Sequence, residues 1–279
     1  MTDTWDKRRF AGKTAIITGA ASGIGAATAR RLASEGAALG LCDIQEQALD
    51  ALAEEIAATT SGKPFVRLVD VSIGEAIEAF VRDTASALGQ LDIMVNNAGI
   101  GCFGHVDEIS PAQWRQTMAI DLDSVFFGSR AALPFLRQTA GCIVNTASVS
   151  GLAGDHGLAA YTAAKAAVIN LTRTMALDHG PEGIRINCVC PGGTDTAMMR
   201  AHSRDAEIMR ETAAAVPMRR LGTPDEIAGG IAFLASSDAS YVTGHTLVID
   251  GGVTAQTGQP DFDRLYRERG WDKKMLQRL

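Results

Sequence analysis

The chain has 279 residues, 46% of them hydrophobic and 21% charged, which suits one large α/β domain with a substantial core. Its net charge of -6 leaves no electrostatic case for nucleic acid or an anionic membrane as a partner. No apolar run reaches membrane-spanning length and the opening MTDTWDKRRF lacks the apolar core of a signal peptide, so a cytoplasmic protein is expected.

In chain order, a β-rich run over 14–18 leads into Thr18-Gly19-Ala20-Ala21-Ser22-Gly23-Ile24-Gly25, and a helical pattern occupies 23–35. Glycines at this spacing let the backbone turn tightly and approach a pyrophosphate at the helix N-terminus, where free N–H groups favour anions. Ser22, Ile24 and the glycines Gly19, Gly23 and Gly25 are therefore cofactor candidates. The second strand, 37–42, runs up to Asp43, eighteen residues beyond Gly25. A carboxylate there accepts hydrogen bonds from the adenosine ribose and repels a 2′-phosphate, and Ile44 and Gln45 offer no cation to welcome one. NAD is predicted over NADP. A helix over 45–58 follows, then a strand over 65–69 closed by Asp70-Val71, a helix over 73–88 and a strand over 91–95 closed by Asn96-Asn97-Ala98-Gly99. Their common sheet edge makes Asp70, Val71, Asn97, Ala98 and Gly99 a lining for the adenine and ribose.

Next come a helix over 111–138, a strand over 142–146 ending near Ser148, and a helix over 158–179 carrying Tyr161 and Lys165. Positions i and i+4 share a helix face, so phenol and ammonium can enter one pocket. A free phenol, with its pKa near ~10, is a poor base at neutral pH, and a fixed ammonium favours the phenolate. Tyr and Lys four apart also recur on plain solvated faces, so the surrounding motifs carry the argument. A strand over 185–189, helices over 197–215 and 224–235 and a strand over 246–249 complete the alternation. Strands apolar on both faces alternating with helices predict a single-domain doubly wound Rossmann fold, a seven-stranded parallel sheet flanked by helices over 1–256. Residues 257–279 form a C-terminal extension. Within it Phe262, Leu265 and Tyr266 share one face, and Trp271, Met275 and Leu279 another, with a break at Gly270. It packs on its own subunit or docks on a neighbour near the active-site mouth.

Together these motifs resemble the short-chain dehydrogenase/reductase family over roughly residues 10–256. The resemblance rests on TGAASGIG, Asp43, Asp70-Val71, NNAG, Ser148 with Tyr161 and Lys165, Pro191-Gly192 with Thr196, Val242-Thr243-Gly244 and Asp250-Gly251-Gly252. It implies Tyr161 as general acid/base, Ser148 orienting the substrate oxygen, and Lys165 binding nicotinamide-ribose hydroxyls. It places Pro191, Gly192, Thr194 and Thr196 along the nicotinamide half of NAD and implies a homodimer or homotetramer. The family's usual Asn is here Asp121, at a position that helps hold a water joining Lys165 to solvent. A carboxylate there either offsets the ammonium's pull on Tyr161, giving an alkaline-shifted pH profile relative to Asp121→Asn, or is neutral or bonds backbone groups.

The reaction this implies is reversible hydride transfer between a secondary alcohol, of hydroxysteroid, cyclic or polyol type, and NAD. Candidate substrate contacts are Cys102, His156 and Met198, within segments that also offer Phe103, Leu152, Met199 and Asp155. Two alternatives stand beside it: a carbonyl or 3-oxoacyl reductase, disfavoured by Asp43, and a non-catalytic NAD-sensing protein, disfavoured by the intact proton-transfer set. The five cysteines show neither C-x-x-C spacing nor His partners, so neither disulfide nor metal is expected.

Overall fold

Thr14–Thr18 (β1) is buried along its whole length, and its side chains divide by parity. Ala15 and Ile17 enter one apolar cluster and Ile16 the cluster on the opposite face. Ile93 and Val95 against Met94, and Cys142 and Val144 against Ile143, divide in the same way. Strand side chains alternate in direction, so a run apolar at every position has to be covered on both sides.

The computed structural model describes residues 8–270 except Ser61, Ser203 and Arg204. Its other strands are Ala38–Asp43 (β2), Phe65–Leu68 (β3), Ile93–Asn96 (β4), Cys142–Thr146 (β5), Arg185–Pro191 (β6) and Thr246–Ile249 (β7). They form one seven-stranded sheet, order β3-β2-β1-β4-β5-β6-β7, with every neighbouring pair parallel. The helices are Gly23–Ser34 (α1), Glu46–Thr59 (α2), Gly74–Leu88 (α3), Pro111–Met118 (α4), Ser124–Thr139 (α5), Ala159–His179 (α6), Ala197–His202 (α7), Ala206–Ala215 (α8), Pro224–Ala235 (α9) and Phe262–Glu268 (α10). Leu32 of α1, Leu49 and Leu52 of α2 and Ile227 and Ile231 of α9 cover one face. Ile77 and Phe80 of α3, Leu136 of α5 and Met175 of α6 cover the other. Each fully buried side chain of this size contributes about 1.5–3 kcal/mol.

The expected doubly wound architecture is present. From β1 the chain winds outward to β3, then returns to lay β4 on the other side of β1. That reversal opens a crevice beyond the carboxyl ends of the strands, where ligands of such sheets bind.

Two helices differ from expectation. The helix expected over 111–138 is interrupted by a π-helical stretch, Ala119–Asp123, between α4 and α5, and Asp121 is its buried residue. A π-helical turn takes in an extra residue and re-aims the side chains it carries, an arrangement frequent at functional sites. The helix expected over 197–215 is two, α7 and α8, because Asp205 caps a new start by accepting from the Glu207 N–H at 2.8 Å. In the extension, α10 stacks Phe262 on Tyr266, ring centroids 6.0 Å apart, and the chain reaches Gly270 at φ +73°. The segment expected on Trp271, Met275 and Leu279 lies outside the described residues. Among the described residues no helix is long and apolar enough to cross a membrane.

Candidate active site

The first turn after β1 is a cradle that side chains would fill. Gly19 and Gly23 hold φ +64° and +52°, a region L side chains rarely adopt. At Gly25 a Cβ would overlap the Gly19 carbonyl oxygen, so α1 starts hard against the end of β1. Ser22 stands at the N-cap without bonding the first turn itself, which leaves N-terminal N–H groups of α1 to an anion. The Asp43 carboxylate is held by three backbone N–H groups, those of Ala21 at 3.0 Å, Ile44 at 2.8 Å and Gln45 at 3.0 Å. It ties the glycine turn to the end of β2 and keeps one acceptor position of about four. Asn97 is a stitch across three strand ends. Its Nδ2 donates to the Thr18 carbonyl at 3.1 Å, its backbone N–H donates to Thr18 Oγ1 at 3.0 Å, and its Oδ1 accepts from Thr146 Oγ1 at 3.3 Å. Thr196 reaches back from the β6 side, its Cγ2 3.2 Å from where a Gly23 Cβ would stand.

The catalytic candidates converge from β5, α6 and the π-helical stretch. Ser148 caps the short turn Val149–Gly151, its Oγ accepting from the Ser150 N–H at 3.1 Å. Lys165 is 3% exposed; its Nζ lies 5.6 Å from the Tyr161 ring centroid and donates to the Thr146 carbonyl at 3.2 Å. Asp121 is wholly buried. Its Oδ1 accepts from the Ile100 N–H at 2.8 Å, and its Oδ2 stands 3.4 Å from Lys165 Nζ with no other partner among the described residues. Burial pushes the Asp121 carboxyl above the ordinary aspartate value, against the Lys165 charge and the Ile100 bond. Burial likewise works against the Lys165 charge, but Asp121 and then Tyr161 more than offset it and raise its pKa. The ammonium is thus secured by a charge the protein has buried beside it.

Most of these groups line one cavity of about 540 Å³. Gly19, Ser22, Gly23, Ile24, Asp43, Ile44, Asp70 and Val71 occupy one part, with Asn97, Ala98 and Gly99 between, and Ser148, Tyr161, Lys165, Pro191, Gly192, Thr194, Thr196 and Met198 complete it. Asp70 is turned to its own loop, its Oδ1 accepting from Ser72 N and Oγ. Three of the four candidates absent from the lining, Gly25, Cys102 and Asp121, are buried. His156 is exposed and absent from the lining; its backbone N–H bonds Asp155 instead.

Residues 19–254 match the family model described as Enoyl-(Acyl carrier protein) reductase. The meso-2,3-butanediol dehydrogenase of Serratia marcescens is 46% identical over 252 residues, covering 90% of this chain and 98% of that protein. The chain belongs to the short-chain dehydrogenase/reductase family. The 3beta-hydroxysteroid dehydrogenase 2 of Eggerthella lenta is 40% identical, with 88% and 96% covered. Among solved structures, levodione reductase superposes with a TM-score of 0.85 at 37% identity, covering 88% of this chain and 99% of that one. As a short-chain dehydrogenase/reductase of this kind the chain is an oxidoreductase acting on CH–OH groups of small molecules with a nicotinamide cofactor. Sequence reasoning missed Thr146, whose carbonyl takes the lysine, Ile100, whose N–H takes Asp121, and Ser150 in the lining. The first two act through the main chain, which side-chain identity does not report. Ser150 lies two residues beyond Ser148, a spacing that was there to be read.

Proposed function

We propose that the chain is an NAD-dependent secondary-alcohol dehydrogenase in which Tyr161 moves the proton and Ser148 holds the substrate oxygen. The observation that carries this is the single cavity shared by the glycine turn and Asp43 with Ser148, Tyr161 and Lys165. When bound, the nicotinamide accepts or returns the hydride. The glycine turn and the start of α1 would hold its pyrophosphate, and Asp43 the adenosine ribose. Lys165, its charge answered by Asp121, stands over the Tyr161 ring, and the Tyr161 oxygen takes the alcohol proton. Both relatives reported above are named for secondary-alcohol substrates, one a diol and the other a hydroxysteroid, which supports the alcohol class. Reduction of 3-oxoacyl thioesters is less well supported, because no arginine among the described residues lines the cavity to meet a phosphate-bearing carrier. Initial rates on acyclic, cyclic and steroidal secondary alcohols, with NAD and NADP in parallel, test the reading; turnover with NADP alone would refute it. A homodimer or homotetramer belongs to the proposal, supported by exposed Phe126 on α5 and Leu177 on α6.

Cofactor choice rests on Asp43. Replacing it by Ser removes one charged acceptor and the repulsion of a 2′-phosphate. The NAD-to-NADP ratio of kcat/KM is expected to fall about 10- to 100-fold. The ratio is the readout, because loss of the three N–H contacts lowers turnover with both cofactors.

Asp121 acts as a positioning residue and counter-ion. The groups facing its carboxylate are Lys165 of α6 and, beyond it, Tyr161 of α6 and Cys190 of β6. Asp121→Asn keeps an acceptor for Ile100 but removes the charge that offsets the ammonium. The pH–rate profile for alcohol oxidation then moves to lower pH by roughly one unit. An unmoved profile would leave Asp121 only its bond to Ile100.

A further inference from the structure

We propose that the Asp155 carboxylate binds a hydroxyl on the carbon next to the reacting one, so that the preferred substrates are vicinal diols. The inference deepens the alcohol-dehydrogenase reading of this cavity and rests on it. Asp155 belongs to the cavity lining together with Ser148, Ser150, Leu158, Tyr161 and Met198. Its Oδ2 accepts from Ser150 Oγ at 3.0 Å and its Oδ1 from the His156 N–H at 3.0 Å. An ionised carboxylate has about four acceptor positions, so two remain for a ligand.

The place of those two positions is set by the catalytic turn. The Ser150 N–H bonds Ser148 Oγ and the Ser150 hydroxyl bonds Asp155, so one residue joins the hydroxyl that holds the reacting oxygen to the carboxylate. Gly151 packs so closely on α6 that a Cβ there would lie 2.6 Å from the Lys165 carbonyl carbon, which seats the turn on the helix that carries Tyr161. The 152–157 loop is closed down by the Gly104 N–H donating to the Gly157 carbonyl at 2.9 Å. The subsite is therefore tied to the catalytic helix at one end and to the opposite wall at the other.

Charge decides what fits. Among the described residues the charged side chains in the lining are Asp43, Asp70, Asp155 and Lys165, and the lysine is committed to Asp121 and the Thr146 carbonyl. A substrate carboxylate or phosphate would meet Asp155 with no described cation of the lining free to answer it. A hydroxyl, by contrast, can donate a short charge-assisted hydrogen bond. Around it Phe103, Val149, Leu158, Met198 and Met199 are apolar, so an unaided hydrocarbon gains contact but no direction.

A matched four-carbon series tests this: butan-2-ol, butane-2,3-diol, 3-aminobutan-2-ol and 3-hydroxybutanoate, as substrates of the full chain and of Asp155→Ala and Asp155→Asn. The diol is expected to exceed butan-2-ol in kcat/KM by roughly 10- to 100-fold, mainly through KM, with the acid poorest. Asp155→Ala should lower the diol-to-monoalcohol ratio about tenfold or more. Asp155→Asn should raise the acid relative to the other three. Equal kcat/KM for diol and monoalcohol in the unaltered protein overturns the assignment. So does a ratio unchanged in Asp155→Ala, which leaves Asp155 only to brace its loop. A preference for the amino alcohol over the diol shows charge pairing in place of hydroxyl recognition and overturns it too. Absence of turnover on all four, while other secondary alcohols react, removes the diol subsite alone. Absence on every secondary alcohol removes the dehydrogenase reading and this one with it.

Discussion

Tyr161→Phe will bind the nicotinamide cofactor as the unaltered protein does and oxidise secondary alcohols about 10²- to 10⁴-fold more slowly. The substitution removes one oxygen and keeps the ring. The Lys165 Nζ lies 5.6 Å from that ring's centroid, so the lysine's attraction to the aromatic face survives, and its bonds to Asp121 and the Thr146 carbonyl do not involve the phenol at all. The cofactor cradle proposed above, the Gly19–Gly25 turn with Asp43, stands on other strands. Binding and turnover should therefore separate. Calorimetric titration with the cofactor, beside initial rates on the alcohol panel, measures the two. If turnover persists, the proton passes through another group. If cofactor binding collapses with turnover, the phenol is holding the cofactor. A protein that senses the nicotinamide pool without turnover would show no rate to lose.

This separability was visible in the sequence because the relevant groups sit where periodicity gives their direction. Asp43, Asn97 and Ser148 lie at or just beyond the ends of parallel strands, and strand ends on one edge of such a sheet converge whatever the loops do. Tyr161 and Lys165 are four apart on a regular helix, so their shared direction follows from 3.6 residues per turn. Legibility stops where the backbone leaves a regular period. The π-helical stretch at Ala119–Asp123 replaces i→i+4 bonding by i→i+5, and residue types alone do not announce that change. Cys102 and His156 lie in irregular loops, where no period aims a side chain; one is buried off the cavity and the other is turned to solvent. The break before α8 could have been seen, since Asp205 is a good N-cap residue. The family's Asn position was legible as an Asp, but what the carboxylate does depends on its complete burial beside Lys165.

Lys165→Met will lose stability as well as turnover, and a second substitution will recover only the stability. The single variant keeps a wholly buried Asp121 whose Oδ2 has no partner among the described residues other than the lysine. Breaking a buried pair from one side costs about 3–5 kcal/mol, because the remaining charge stays desolvated. Lys165→Met/Asp121→Asn takes that charge away and leaves an acceptor for the Ile100 N–H, so most of the loss should return. Turnover should not, since no cation then stands beside Tyr161. The dependence on pH separates the partners. Asp121 has a folded pKa raised above its unfolded value of 3.8, so its favourable contribution is full below 3.8 and is lost as pH rises through the folded value. The defect of Lys165→Met should accordingly be smallest in acid and full at neutral pH. Lys165 has its folded pKa raised above 10.5, so the pair's contribution in the unaltered protein persists through neutral pH and disappears as pH rises beyond that folded value. Urea unfolding of the three proteins between pH 4 and pH 8, with rates on one alcohol at each pH, gives both quantities. If Lys165→Met matches the unaltered protein at neutral pH, Asp121 carries no charge there and the lysine holds its proton without it. If the double variant stays as unstable as the single, the lysine contributes through the packing of its four-carbon stem between α6 and the Thr146 carbonyl, and the charge beside it is incidental to the fold.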